Sequence, residues 1–329
     1  MTSIKRLAYT SVALLAAVAF AGTASAQNKL RLAVETTAGD PTNVMLAAFR
    51  DNLSDAVGDQ LELEFFDGGS LGDEHTLVEL LRVNQAQVVP LGSDGVVQLA
   101  PQFAIFDAPY LFTSKQQARD ALSGDLGDVL SEVLRESANL EVLAFGELGV
   151  RVVSNNTRPI ETPEDLHGLK LRTPGSPTRI MAFTELGAAP VQIDLGDVYV
   201  ALRQGAIDGQ ENPMSVIKEF SLHEVQEYIS LTNHVYTPIT LAMNGDAFDS
   251  LPEDLQSAVI EAAQAAAITT HELSDQQDAE LVATFEAAGV AVNAPDLALF
   301  QVAAEPIHVE IGKVVGEEFM AQVKGMINE

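Results

Sequence analysis

The chain has 329 residues, enough for two domains that each bury a core of their own. It carries 18 Lys and Arg against 47 Asp and Glu, a net charge of −29. A surface this acidic repels phosphate backbones, so nucleic-acid binding is excluded as a main function. With 47% hydrophobic and 20% charged residues the chain is too apolar to be disordered, and without Cys it has no disulfides, thiolate metal sites or cysteine nucleophiles.

Lys5 and Arg6 form a basic head, an apolar run extends from Val12 to Ala21, and Ala24-Ser25-Ala26 follows. This is the pattern of a secretory signal peptide over 1–26, with cleavage after Ala26. A membrane anchor is the alternative, but the apolar run is too short to cross a bilayer comfortably. Cleavage would remove two bases and no acid, shifting the charge from −29 to −31. The expected product is an exported protein with no direct membrane insertion, and the signal suits a bacterial periplasm. The excess acid could also be an adaptation to salty surroundings.

Leu30, Leu32 and Val34 alternate as in a strand, and Met45, Phe49, Leu53 and Val57 mark one face of a helix beginning near Asp40-Pro41. Leu61, Leu63 and Phe65 alternate again, Gly68-Gly69 breaks the strand, and a helix follows through Leu77, Leu80 and Leu81. Val88–Leu91 reads as a short buried strand. A longer helix is predicted over roughly 115–136 and a strand over 140–145. This β-α-β-α order predicts an α/β fold with a mainly parallel sheet. A second round of strands and helices runs to about Thr237, and 234–244 reads as a long strand. A helix over 252–287, with Pro252 at its first turn, would span about 54 Å, longer than one small domain. It is expected to lie across two domains. The tail, 295–328, reads as one more helical region. The sequence contains no linker, so the domains are expected to be joined by crossing strands.

Gly68-Gly69-Ser70-Leu71-Gly72 matches G-x-S-x-G in a strand–turn–helix context, which would make Ser70 the nucleophile of a secreted serine hydrolase. The plainer reading is a glycine-rich turn in which Ser70 caps a helix. His223, His234, His271 and His308 could complete a triad, but none has a telling context. There is no zincin motif, P-loop or calcium loop. More informative is a basic island between Leu148 and Thr184, formed by Arg151, Arg158, Lys170, Arg172 and Arg179. Arg172 ends a predicted strand before Thr173-Pro174, and α/β proteins bind ligands where strands end. Its planar fork matches a carboxylate. Pairing with a surface acid is the competing reading. Ala206–Pro213 is polar and turn-like, and on composition alone it reads as an ordinary loop.

Three runs, "LKLRTPGSP", "APVQIDLGDVYVALRQGAIDGQENP" and "LTNHVYTPITLAMNGDAFDSLPEDLQSAVIEAA", together with "GGSLGDEHTLVELL" and "PYLF", resemble the solute-binding proteins of tripartite ATP-independent periplasmic (TRAP) transporters, the DctP type. The resemblance covers nearly all of the chain after residue 26. It implies a non-enzymatic two-domain clamshell of the periplasmic-binding-protein kind, with crossing strands and a long helix spanning both lobes. Lobe I is expected to comprise 27–149 plus about 238–275, and lobe II 150–237 plus about 276–329. The family captures small organic anions, without a cofactor or metal, for a membrane permease of one small and one large subunit, usually driven by a sodium gradient.

By position, the resemblance implies that Arg172 grips the ligand carboxylate, that Asn212 steadies it, and that Arg151 is a second basic contact. Glu74 would meet ligand hydroxyls, and Glu35, Asp94 and Tyr236 would line the pocket. Two positions depart from the pattern: His75 stands where Arg is usual, and Leu195 where Phe or Trp is common. Acids around basic groups suit a carboxylate bearing several hydroxyls, a sugar acid such as a uronate or aldonate. A C4-dicarboxylate, a 2-oxo acid and the zwitterion ectoine are the alternatives.

Overall fold

The computed structural model describes residues 28–328, so the signal-peptide reading of 1–26 lies outside the described residues. Among the described residues nine strands form one sheet. In chain order they are β1 (Asn28–Ala33), β2 (Leu61–Phe66), β3 (Val88–Leu91), β4 (Leu140–Asn155), β5 (Lys170–Thr173), β6 (Ala189–Gln192), β7 (Gly209–Pro213), β8 (Tyr228–Asn244) and β9 (Ala291–Asn293). The spatial order is β2-β1-β3-β8-β4-β7-β5-β6, with β9 paired to β8.

The two wings of the sheet are parallel, as the alternation of strands and helices predicts. Its centre is antiparallel, which the alternation does not predict. β4 and β8 pair from Leu140 opposite Asn244 to Asn155 opposite Tyr228. One end of β8 pairs with β3 and the other end of β4 pairs with β7, so both strands run from one lobe into the other. Their register shifts between Val142 and Ala144, Glu147 and Gly149, and Arg151 and Val153. Such bulges bend a strand pair, and here they lie between the wings. Gly149 has φ of +126°, a conformation that few other residues adopt without strain.

The long helix, Glu253–Ala287, begins directly after Pro252, which occupies its N-cap position without a side-chain capping bond. Ala262, Ala263, Ala266 and Ala267 pack against Met45, Leu46 and Phe49 of helix Pro41–Val57. Small residues let two helices approach closely, which explains the Ala-rich stretch. Farther along, Leu281 and Phe285 enter a different core with Ile217 and Leu222. One helix therefore serves both lobes.

Several elements differ from the sequence reading. The helix predicted over 115–136 is two helices, Lys115–Leu122 and Asp125–Ala138, broken at Ser123-Gly124. The backbone doubles back so tightly that a Cβ on Gly127 would lie 2.0 Å from the Leu122 carbonyl oxygen. The strand predicted over 140–145 continues to Asn155, and the one predicted from 234 begins at Tyr228. The tail is two helices, Leu297–Val315 and Glu317–Asn328. They pack on residues 101–107 and on helices 115–122 and 125–138, as well as on helix Pro177–Glu185, so the tail touches both lobes.

The polar segment read as a loop contains β7, a fully buried strand. Gly209 opens it, and a Cβ there would sit 2.2 Å from the Ser154 carbonyl oxygen of the neighbouring β4. Gly209→Ala must push the strands apart, and the expected loss of stability is about 1–3 kcal/mol. A urea midpoint equal to wild type would show that the strands absorb the methyl group.

Candidate ligand-binding site

A cleft of about 530 Å³ lies between the lobes, within the usual size range for small-ligand sites. One wall comes from the segments after β1 and β3 and from the start of helix Glu74–Arg82. The other comes from the ends of β5, β6 and β7, with Leu148 and Arg151 of β4 at the base. Strand ends thus converge on the cavity, as expected for α/β folds. Arg172, Asn212, Arg151, Glu74, Glu35 and Asp94 all line it, as do His75 and Leu195, the two departures from the family pattern.

Arg172 is aimed by strand alternation. Leu171 points into the core beneath helix Pro177–Glu185, so Arg172 faces the opposite side, toward the cleft. It is only 4% exposed, yet among the described residues the one hydrogen bond of its side chain runs from Nε to the Ile193 carbonyl at 2.7 Å. No carboxylate is within ion-pair distance of it among the described residues. Burial, and then the like charge of Arg151, push its pKa down to about 10. The cationic form is therefore held without a counter-ion.

Arg151 differs from it. Its guanidinium engages Glu211 through both Nε and Nη2, the latter 2.8 Å from Oε1. Nη2 also donates to Asn212 Oδ1 at 2.9 Å, while Asn212 Nδ2 donates to Gln210 Oε1 at 2.6 Å. Glu211 further accepts from Arg179 Nη1 at 3.0 Å and lies 3.1 Å from His234 Nε2. Arg179 is anchored on its other side by Asp107, at 2.7 Å. Burial alone would raise the Glu211 pKa, but Arg151 and Arg179 outweigh it and hold it far below the ordinary carboxylate range. Burial lowers the His234 pKa against the pull of Glu211.

The opposite wall is acidic. Glu35 Oε2 accepts from the Glu74 backbone at 3.1 Å, and Glu74 Oε1 accepts from the Gly92 backbone at 2.7 Å. A Cβ on Gly92 would meet both Asp94 Oδ1, at 2.9 Å, and Glu74 Oε1, at 3.4 Å, so the two carboxyls are neighbours. Burial, and then the Asp94 charge, raise Glu74 well above the usual range, and burial raises Glu35.

Tyr236 is a correction: it does not reach the cleft. Together with Val150, its partner across the strand pair, it lines a separate cavity of about 390 Å³. Its hydroxyl donates to Glu147 Oε2 at 3.2 Å. Arg151 and Val150 are adjacent and point to opposite faces, and Tyr236 follows Val150. The hydrolase reading of Ser70 is also corrected. Ser70 sits exposed in a turn, and Asp73 rather than Ser70 caps the next helix, accepting from Thr76 at 2.8 Å. Among the described residues no histidine bonds to Ser70: His234 and His308 contact Glu211 and the Pro109 carbonyl instead. Among the described residues no group of His, Asp and Glu is arranged to hold a metal ion, and no helix is long and apolar enough to cross a membrane.

The sequence reading passes over Glu211 and Asp107, weighs His234 only as a triad member, and counts Arg179 only within the basic island. The one available signal was Glu211 itself, a charged residue between Gln210 and Asn212 in a segment read as a loop.

The family model described as bacterial extracellular solute-binding protein, family 7 (DctP) matches residues 32–313. The 2,3-diketo-L-gulonate-binding periplasmic protein YiaO of Escherichia coli K12 is 34% identical over 83% of this chain and 83% of its own. A TRAP periplasmic solute-binding protein from Bordetella bronchispeptica, with density assigned to pantoate, superposes with a TM-score of 0.86 at 29% identity, covering 91% of this chain and 99% of that one. Another from Roseobacter denitrificans, with bound β-D-glucuronate, gives 0.86 at 27% identity over 91% and 98%. A two-lobed α/β fold, a cleft holding an unpaired arginine, and a family match over most of its length place this chain in the DctP family of TRAP-transporter periplasmic solute-binding proteins.

Proposed function

We propose that this protein captures a hydroxylated organic acid, best fitted by a sugar acid such as a uronate or aldonate, and hands it to a TRAP permease of one small and one large subunit. Export would remove residues 1–26, leaving lobes of 27–149 plus about 238–275 and 150–237 plus about 276–329, with the tail packed on both. The observation that carries this reading is Arg172. Of the two arginines that line the cleft among the described residues, Arg151 is neutralised by Glu211 and Arg172 is not. A ligand carboxylate would supply the missing anion. Asn212, fixed by Arg151 and Gln210, stands beside it as a neutral partner. Lobe closure would remove water, and the ion pair would strengthen as the effective dielectric falls. At physiological salt, screening acts over about 8 Å, which mutes the acids of the outer surface at Arg172. The sugar acids named for the Escherichia coli and Roseobacter denitrificans proteins support the ligand class.

Ligand that prefers the folded state raises stability, by about 2.7 kcal/mol at a hundred times Kd. In a thermal-shift screen of uronates, aldonates, 2-oxo acids, C4-dicarboxylates and ectoine, a sugar acid is expected to raise Tm by about 5 °C or more. A screen in which no carboxylate moves Tm at millimolar concentration would remove the proposal. With no Trp in the chain, tryptophan quenching cannot replace this assay.

A further inference from the structure

The two walls of the cleft carry opposite charge. On one side is Arg172, more than nine-tenths buried, with neither Nη bonded to a protein group among the described residues. On the other are Glu35, Glu74 and Asp94. The acids are packed by design of the backbone. A Cβ on Gly95 would lie 3.0 Å from the Glu74 carboxyl carbon, and one on Gly92 would lie 2.9 Å from Asp94 Oδ1. Glycine at both positions leaves room for two neighbouring carboxyls. Among the described residues no arginine or lysine lines this wall. The other charged and titratable groups lining the cleft, among the described residues, are Asp73 and His75 from the start of helix Glu74–Arg82, Asp40 from the start of helix Pro41–Val57, and Arg172, Arg151 and Asp194 across the cavity. Asp73 and Asp40 are occupied as helix caps. Arg151 is occupied by Glu211.

We propose that the Glu35–Glu74–Asp94 wall is a charge-counting device: the cleft accepts one ligand carboxylate, at Arg172, and rejects a second. Residues on this wall accept hydrogen bonds from ligand hydroxyls but meet a second carboxylate with like charge and no cation to offset it. The selected ligands are hydroxylated monocarboxylates, and dicarboxylates of the same carbon skeleton are excluded. This rests on the carboxylate-capture function proposed above. Like charges brought together in a desolvated site cost several kcal/mol, which corresponds to a discrimination of about a hundredfold. The raised pKa of Glu74 and Glu35 gives the device a pH dependence. As pH falls the wall gains protons, loses charge, and tolerates a second carboxylate better.

The test is calorimetric titration of the full mature protein with matched pairs: gluconate against glucarate and galactonate against galactarate. Each pair differs in one terminal group, hydroxymethyl or carboxylate. At pH 8 the monocarboxylate is expected to bind about a hundredfold tighter, with the ratio shrinking by pH 5.5. Glu74→Gln, and separately the double change Glu74→Gln with Asp94→Asn, are expected to reduce the ratio at pH 8 and flatten its pH dependence. The ratio is the readout, so a general loss of affinity does not imitate the effect. Equal binding within each pair at pH 8, with Arg172→Ala abolishing both, would overturn the charge-counting proposal and leave carboxylate capture standing. A ratio unchanged in both wall variants would overturn it too. Binding of neither member of either pair would remove the sugar-acid reading and this inference with it.

Discussion

Arg172→Ala is expected to abolish ligand binding while leaving the empty protein at least as stable as wild type. The first half follows from charge. Truncating one partner of a buried, hydrogen-bonded ion pair costs on the order of 2–5 kcal/mol, so Kd rises by roughly 30-fold to several thousandfold. Arg172→Lys restores the charge but not the fork, and is expected to recover only part of the affinity. The second half follows from the depressed pKa of about 10. A base whose folded pKa lies below its unfolded one binds its proton less well when folded. At neutral pH the group is still charged, so it detracts from the stability of the empty protein, by about 3 kcal/mol at most. Alanine removes that penalty but also the bond to Ile193 and the packing of the side-chain stem, so the net gain is smaller. A protein that gives up stability to keep a site ready for its ligand is a familiar trade. Denaturant unfolding of the empty proteins, with thermal shifts for the ligand, reads both halves. Wild-type affinity in Arg172→Ala would move the carboxylate elsewhere in the cleft. A large loss of empty-state stability would mean that the guanidinium is structural.

Arg172 was visible in the sequence because its signal is local: an alternating strand that stops at Thr173-Pro174 has only one residue able to face the crevice at its end. The long helix was equally plain, because 35 residues without internal Gly or Pro leave no place to break it. What could not be read depends on distant pairing. Nothing in the neighbourhood of Tyr236 tells which face of β8 it occupies. The face depends on register against β4, and bulges reset that register three times. Gln210–Pro213 looked like a loop because polar residues are counted as exposed until their partners are known. Those partners lie 60 residues away at Arg151, 32 at Arg179 and 23 at His234. The antiparallel centre of the sheet was missed for the same reason. β4 and β8 look like any other strands until their lengths, 16 and 17 residues, show that they serve two lobes.

Removing the Glu211 charge is expected to have the largest effect on stability of any single change at the site. Its carboxylate, fully buried, faces the guanidinium groups of Arg151 and Arg179 and the His234 ring. Arg179 keeps Asp107 if Glu211 is lost, but Arg151 keeps only the side chain of Asn212 and the main-chain oxygen at position 211. Breaking a buried pair strands the surviving charge, and the typical cost is about 3–5 kcal/mol. Glu211→Gln, which keeps the shape and loses the charge, is therefore expected to lower the unfolding free energy at pH 7 by about that amount. The sign of the pH dependence follows from the depressed carboxyl. Its stabilisation is complete above the unfolded pKa, near 4.3, and is lost as pH falls toward the lower folded value. The gap between wild type and Glu211→Gln should be full at pH 7 and narrow below about pH 4. Binding should weaken as well, because Asn212 is steadied by Arg151, and Arg151 by Glu211. The comparison with Arg172→Ala separates the two roles: one change loses affinity and keeps the fold, the other loses both. Urea titrations at pH 7 and near pH 3 decide it. A difference within about 0.5 kcal/mol at pH 7, no more than an average surface substitution, would mean that the two arginines redistribute their charge onto water or Asp107 and that Glu211 does not hold the site together.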